Sequence, residues 1–190
     1  MEPRLKDKPD VDKAKNIVCA LVHLEGGKFK GKTRLNKAFW RAHVYHYRHH
    51  SGLLSKYPIA RLPEGPGIDD LDEILFSLER EGRVKVTSEK VGTYLEVVVS
   101  LTSSPPSLES DEEEAVKEAI RWVRGKSAAQ VANESHRLSL AWKQAKNGEI
   151  IDLAFDALDT QDLKAIEAEQ KSMAGHLEWA KNLVGKSFRK

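Results

Sequence analysis

One change of hydrophobic period limits what this chain can fold into. Helical spacing governs Val11–Leu24 through Ala14, Ile17, Val18, Leu21 and Val22, and it returns at Leu71, Ile74, Leu75 and Leu78. Between Arg83 and Leu101 the period drops to two, with Val84 and Val86, then Tyr94, Val97 and Val99, and Gly92 near the turn. That pattern predicts one antiparallel β-hairpin. Everywhere else the apolar residues follow helices, so the expected class is α+β, mostly α-helical, in a single domain.

Local punctuation sets the expected boundaries. Residues 1–12 read as a polar, flexible lead-in, 13–158 as the domain, and 159–190 as a C-terminal helix. Gly26 and Gly27 stop the first helix. Thr33 is placed to cap a second helix reaching about His50, where Ser51 and Gly52 end it. The stretch SKYPIARLPEGPG is too rich in Pro and Gly for a helix and predicts a surface loop, at most with a short extended piece. Helix 68–81 begins among the acids 69, 70, 72 and 73, which suit its positive end. A linker at 102–110 precedes a helix with an acidic first turn, and Ser127 with Gln130 has capping-box spacing for a helix over 128–135. Further helices are expected over 138–146 and 149–158. In the last one, Leu163, Ile166, Gln170, Met173, Leu177, Ala180 and Val184 step in a 3-4 rhythm that fits packing on the domain or a homodimer.

Charge matters through its distribution. The net charge is only +2, yet residues 26–63 hold nine bases and no acid, and residues 64–118 hold fifteen acids against five bases. Folding either brings these blocks together as a solvated network or leaves a basic face for an acidic partner. No apolar run approaches the roughly 20 residues of a membrane span. A lone cysteine, Cys19, sits in the apolar run IVCALV as a small core residue, which excludes a disulfide framework. A cytoplasmic protein is expected.

Signals for catalysis are poor. HVYHYRHH puts His43, His46 and His50 on one side of a helix, but no acid lies between Gly26 and Pro63 to complete a metal site. No nucleophile elbow, HExxH or phosphate loop is present. Helix, glycine, strand, glycine turn and strand in succession also describe the end of a winged helix. Helix 68–81 carries Asp69, Asp70, Asp72, Glu73, Glu79 and Glu81 against Arg80 alone, so phosphate would repel it. Neither a metal nor a cofactor is expected, and nucleic acid is disfavoured.

Several segments resemble a known family in order and spacing. Thr33-Arg34-Leu35-Asn36-Lys37-Ala38-Phe39-Trp40 is similar to its opening helix motif, and Glu64-Gly65-Pro66-Gly67 to its Gly-Pro turn. Ser127 to His136, then Trp142, then Gly148-Glu149-Ile150-Ile151 resemble its closing stretch. The family is the Panacea, or SocA-like, antitoxin domain, often labelled phage-associated. The resemblance implies direct binding and neutralisation of a protein toxin, without catalysis. Leu35, Phe39, Gly65, Pro66, His136 and Trp142 are its structural positions. Arg34 and Lys37 crowd the helix end that disfavours positive charge. With Arg41 they are therefore expected to face the partner and to be dispensable for folding.

Overall fold

A computed structural model of the protein describes residues 8–50, 52–158, 164 and 168–176. The element order is α1 (Val11–Leu24), β1 (Lys28–Lys30), α2 (Lys32–His50), β2 (Ala60–Leu62), β3 (Gly65–Gly67) and α3 (Leu71–Arg80). There follow β4 (Val84–Val91), β5 (Tyr94–Leu101), α4 (Ser110–Val123), α5 (Ala128–Leu138), α6 (Leu140–Gln144) and α7 (Ala154–Ala157). The chain divides into two compact units, residues 1–157 and 158–190. In the second, residues 168–176 are helical and exposed, Gln170 and Met173 included. Leu163, Ile166, Leu177, Ala180 and Val184 lie outside the described residues, as do residues 1–7.

The first unit is an α+β assembly around α2. Leu35, Ala38, Phe39, Trp40, Ala42 and Val44 are buried along that helix, and α1, α4, α5, α7 and β3 pack against it. A helix apolar on so much of its circumference has to be interior. α3 contributes a single stripe, Leu71, Ile74, Leu75 and Leu78, and leaves its other side in solvent.

The hairpin is part of a larger sheet than alternation predicts. β4 and β5 pair antiparallel from Val84↔Leu101 to Val91↔Tyr94. β1 adds to the far side of β5 through Lys28↔Ser100, Phe29↔Val99 and Lys30↔Val98, giving the order β1-β5-β4. Only Phe29 of β1 is buried, so three residues left no period to read.

Other boundaries move for identifiable reasons. The first helix spans Val11–Leu24 as its spacing predicts, so it starts inside the expected lead-in, whose described residues are engaged: Lys8 pairs with Asp70 at 2.9 Å, and Asp10 accepts the Lys56 amide at 2.6 Å. Thr33 does not cap α2, which starts at Lys32 behind Gly31 at φ 88°. Ser139 divides the helix expected over 138–146, because its hydroxyl turns to accept the Trp142 amide as a new cap. Residues 149–151 are extended rather than helical, and Ile151 donates to the Ile59 carbonyl at 2.9 Å. The Ser127 capping box forms in both directions, with Gln130 N to Ser127 Oγ at 3.2 Å and Ser127 N to Gln130 Oε1 at 2.8 Å.

The Pro/Gly stretch departs furthest from expectation. β2 and β3 form a two-stranded ribbon in which Gly65, Pro66 and Gly67 are all buried. Backbone polar groups can enter an interior only when something satisfies them. Here the partners come from distant segments, as the next section describes.

Candidate functional site

The segments that carry the family resemblance converge on this ribbon. From α2, Asn36 behaves as a third strand: its Oδ1 accepts the Ile68 amide at 2.6 Å and its Nδ2 donates to the Ile68 carbonyl at 3.0 Å. One residue on, Lys37 donates from Nζ to the Pro66 carbonyl at 2.9 Å and is 1% exposed. Burial pulls this amine down to about 7, against a smaller opposing attraction from Glu64. α5 closes the other side. A Cβ on Gly65 would stand 2.4 Å from Ser135 Oγ and 2.9 Å from His136 Cδ2, at a φ of +100°. One on Gly67 would meet Asn36 Oδ1 at 2.4 Å. Glycine at both places is a requirement of contact.

Trp142 covers the outer strand. It stacks on His136 with centroids 4.2 Å apart, lies under the Arg61 guanidinium at 4.5 Å, and donates from Nε1 to the Leu62 carbonyl at 2.8 Å. Residues 148–151 then pair along β2, with Arg61 N donating to Glu149 O and Gly148 N to Arg61 O, both at 2.8 Å. His136 Nε2 is sealed here without a hydrogen-bond partner among the described residues.

This junction is built to hold elements together. Ser135 Oγ donates to the Ala132 carbonyl at 2.7 Å, so its proton is committed to its own helix. Lys37 is aimed at a carbonyl. Leu35 and Phe39 are fully buried in the core, and Pro66 is buried in the ribbon.

A second buried polar centre had no sequence signal. Asp156 on α7 is 5% exposed and accepts from Trp40 Nε1 at 3.0 Å, Ser139 Oγ at 2.7 Å and the Ala141 amide at 2.9 Å. Burial raises its pKa and those hydrogen bonds oppose the rise. Arg48 donates to the Ala157 carbonyl at 2.9 Å, tying the end of α2 to α7.

The expected partner-facing trio does not form one outward face. Lys37 points into the junction. Arg34 is held by Glu25 at 3.1 Å and by the carbonyls of Lys30 at 2.9 Å and Val123 at 3.3 Å, over the Phe29 ring. Arg41 is half-buried, its guanidinium 5.9 Å from the Trp122 ring. Much of the basic block is neutralised across the fold: Lys28 and Lys30 both meet Glu89, and Lys32 meets Asp72. The two lysines hold the Glu89 carboxyl down at about 2. The two charge blocks therefore meet, which no local window can show.

The histidines turn to separate partners. His43 Nδ1 lies 2.9 Å from the Phe39 carbonyl and its Nε2 2.8 Å from Ser55 Oγ. Burial depresses its pKa to about 4, so the ring is neutral and accepts from the serine. His46 sits between the Gly52 carbonyl and Asp111, and His50 beside Glu114. Among the described residues no group of three or more His, Cys, Asp or Glu is placed to hold a metal ion. Cys19 is buried, and burial pushes its thiol up.

Among the described residues several large apolar side chains are left in solvent at separate places, Ile150 beside β2 included. Tyr94 and Leu95 at the hairpin tip are 59% and 70% exposed, and Phe76 on the solvent side of α3 is 62% exposed. No described helix is long and apolar enough to cross a membrane. Comparison with protein-family models, with curated proteins and with solved structures gives no match.

Proposed function

We propose that this chain is an antitoxin-like module that neutralises a partner protein by direct binding. The observation that carries the reading is the exposed set Phe76, Tyr94 and Leu95, beside a basic block that is largely paired off within the fold. Aromatic and aliphatic side chains left in water at an edge suit a protein interface, whose buried centre is enriched in aromatics and depleted in charge. The Panacea-like segments support the same reading, since they meet in one junction that leaves other surfaces free for a partner. The seam of the C-terminal segment is proposed as a self-association element.

A second reading has topology in its favour. Apart from the β2–β3 ribbon inserted between α2 and α3, the succession of helix, strand, two helices and a hairpin, with β1 beside β5, supports a winged-helix-like reading. A nucleic-acid-binding regulator would use α3 for recognition, and the exposed acids there oppose it.

Co-expression with the product of the adjacent reading frame tests the leading proposal. Restored growth and co-elution of the two chains are expected. A toxic neighbour that this chain neither binds nor silences would sink it, and tight sequence-selective binding to duplex DNA at physiological salt would promote the second reading.

A further inference from the structure

Resting on that reading of direct protein binding, we propose that the outer face of α3 is the docking surface, and that it takes a lysine- and arginine-rich protein surface with an apolar pocket for Phe76. The face follows from helical geometry. Residues 72, 73, 76, 79 and 80 fall on one side at spacings of three and four, opposite the buried stripe Leu71, Ile74, Leu75 and Leu78, and Asp69 lies in the turn just ahead of the helix. Phe76 is its only large apolar side chain and sits at its centre. A ring in that position could have been a lysine at no cost to the core, since none of it is needed inside.

The surroundings define the partner by charge. Asp72, Glu73 and Glu79 lie three or four residues from Phe76 on the helix, Asp69 precedes them in the turn, and all four are exposed. Asp72 meets Lys32 at 2.8 Å, and Glu79 accepts the Val86 amide at 2.9 Å. The carboxylates of Asp69 and Glu73 form no hydrogen bond or ion pair among the described residues. Arg80, with its guanidinium 5.9 Å from the Phe76 ring, is the one base that α3 itself puts on this face, and Lys32 of α2 reaches it at Asp72. A phosphate backbone would be repelled from it. A basic protein surface would be drawn in by the carboxylates, which set encounter rate, while the aromatic anchor sets residence.

The experiment measures binding of the full chain to the purified product of the adjacent reading frame, by calorimetry and by association kinetics at several salt concentrations. Phe76→Ser should weaken the complex by about 30-fold or more, mainly through faster dissociation. Asp69→Lys with Glu73→Lys should slow association by about 10-fold and flatten its salt dependence. Phe76→Ser should keep the wild-type melting temperature, since its ring does not enter the core, and the double lysine variant should still fold, losing only the modest helix-end stabilisation of two acids. Wild-type binding with both variants unchanged overturns the docking surface and leaves the antitoxin reading standing. Faster association of the double lysine variant overturns the basic partner. Absence of wild-type binding removes the antitoxin reading, and the surface falls with it.

Discussion

Replacing Lys37 by methionine isolates the most unusual group in the fold. The two side chains have similar length and lack branches, so the change removes an amine and keeps the packing. Two effects oppose. Loss of the bond to the Pro66 carbonyl leaves a buried acceptor unpaired, at a cost of about 1–3 kcal/mol. Against this, the variant no longer buries an amine that is about half charged near neutral pH. The balance changes with pH in a direction that can be worked out. Burial brings the folded amine down to about 7, from an ordinary lysine value of 10.5 in the unfolded chain. Between those values the unfolded chain holds more protons, so stability rises with pH, and the benefit disappears as pH falls through 7. From about pH 6.5 to about pH 8.5 the wild type should therefore gain about 2 kcal/mol that the variant does not, at a limiting slope of about 1.4 kcal/mol per pH unit. With a urea dependence of about 2 kcal/mol/M, the midpoints should diverge by about 1 M across that range. Parallel midpoints for the two proteins would refute the reasoning, because they would mean that the folded amine keeps its proton.

Three further outcomes follow from the same geometry. Gly65→Ala should destabilise by about 2 kcal/mol or more in thermal or urea melts, since it adds backbone strain to a 2.4 Å clash, whereas Gly148→Ala, with open space around it, should cost only about 1 kcal/mol. Asp156→Ala strands three buried donors and should cost about 3 kcal/mol or more, with a change in tryptophan emission from Trp40 in whatever folded fraction remains. His43 should stay neutral in the folded protein well below the usual histidine range. Its contribution to stability is present above 6.5 and is lost as pH falls from 6.5 through about 4, which nitrogen NMR of the imidazole alongside an acid melt will follow.

How far the sequence could be read depended on whether each segment was satisfied by its neighbours. α1, α3 and α4, the β4–β5 hairpin and the Ser127 box are all written in spacings of two, three or four, and reading those spacings located them. β2–β3 was misplaced on the surface because Pro and Gly describe only local freedom. Its backbone is satisfied by Asn36, by Lys37 and by residues 148–151, up to ninety positions away. Lys37 was misread for a related cause. A base in a helix first turn suggests a partner, and the partner was a carbonyl of the same chain. The meeting of the Gly65-Pro66 turn with His136 and Trp142 is legible only as order along the chain, without the contact that explains it. Asp156 left no trace, since nothing about an aspartate in a short apolar stretch indicates three donors waiting for it.

The closing of β2 by residues 148–151 also has a kinetic meaning. Ala60 faces Ile150 across an isolated bridge, so the contact seals a circuit of about ninety residues. Joining the ends of a free loop that long costs about 4 kcal/mol of chain entropy beyond the constant term, and long-range closure of this kind slows folding. During synthesis the ribbon lacks the Trp142 cover until α6 has left the ribosome, and its outer partner until residues 148–151 have followed. The chain ahead of Trp142 must therefore wait with an open strand edge, which only later-made residues shield.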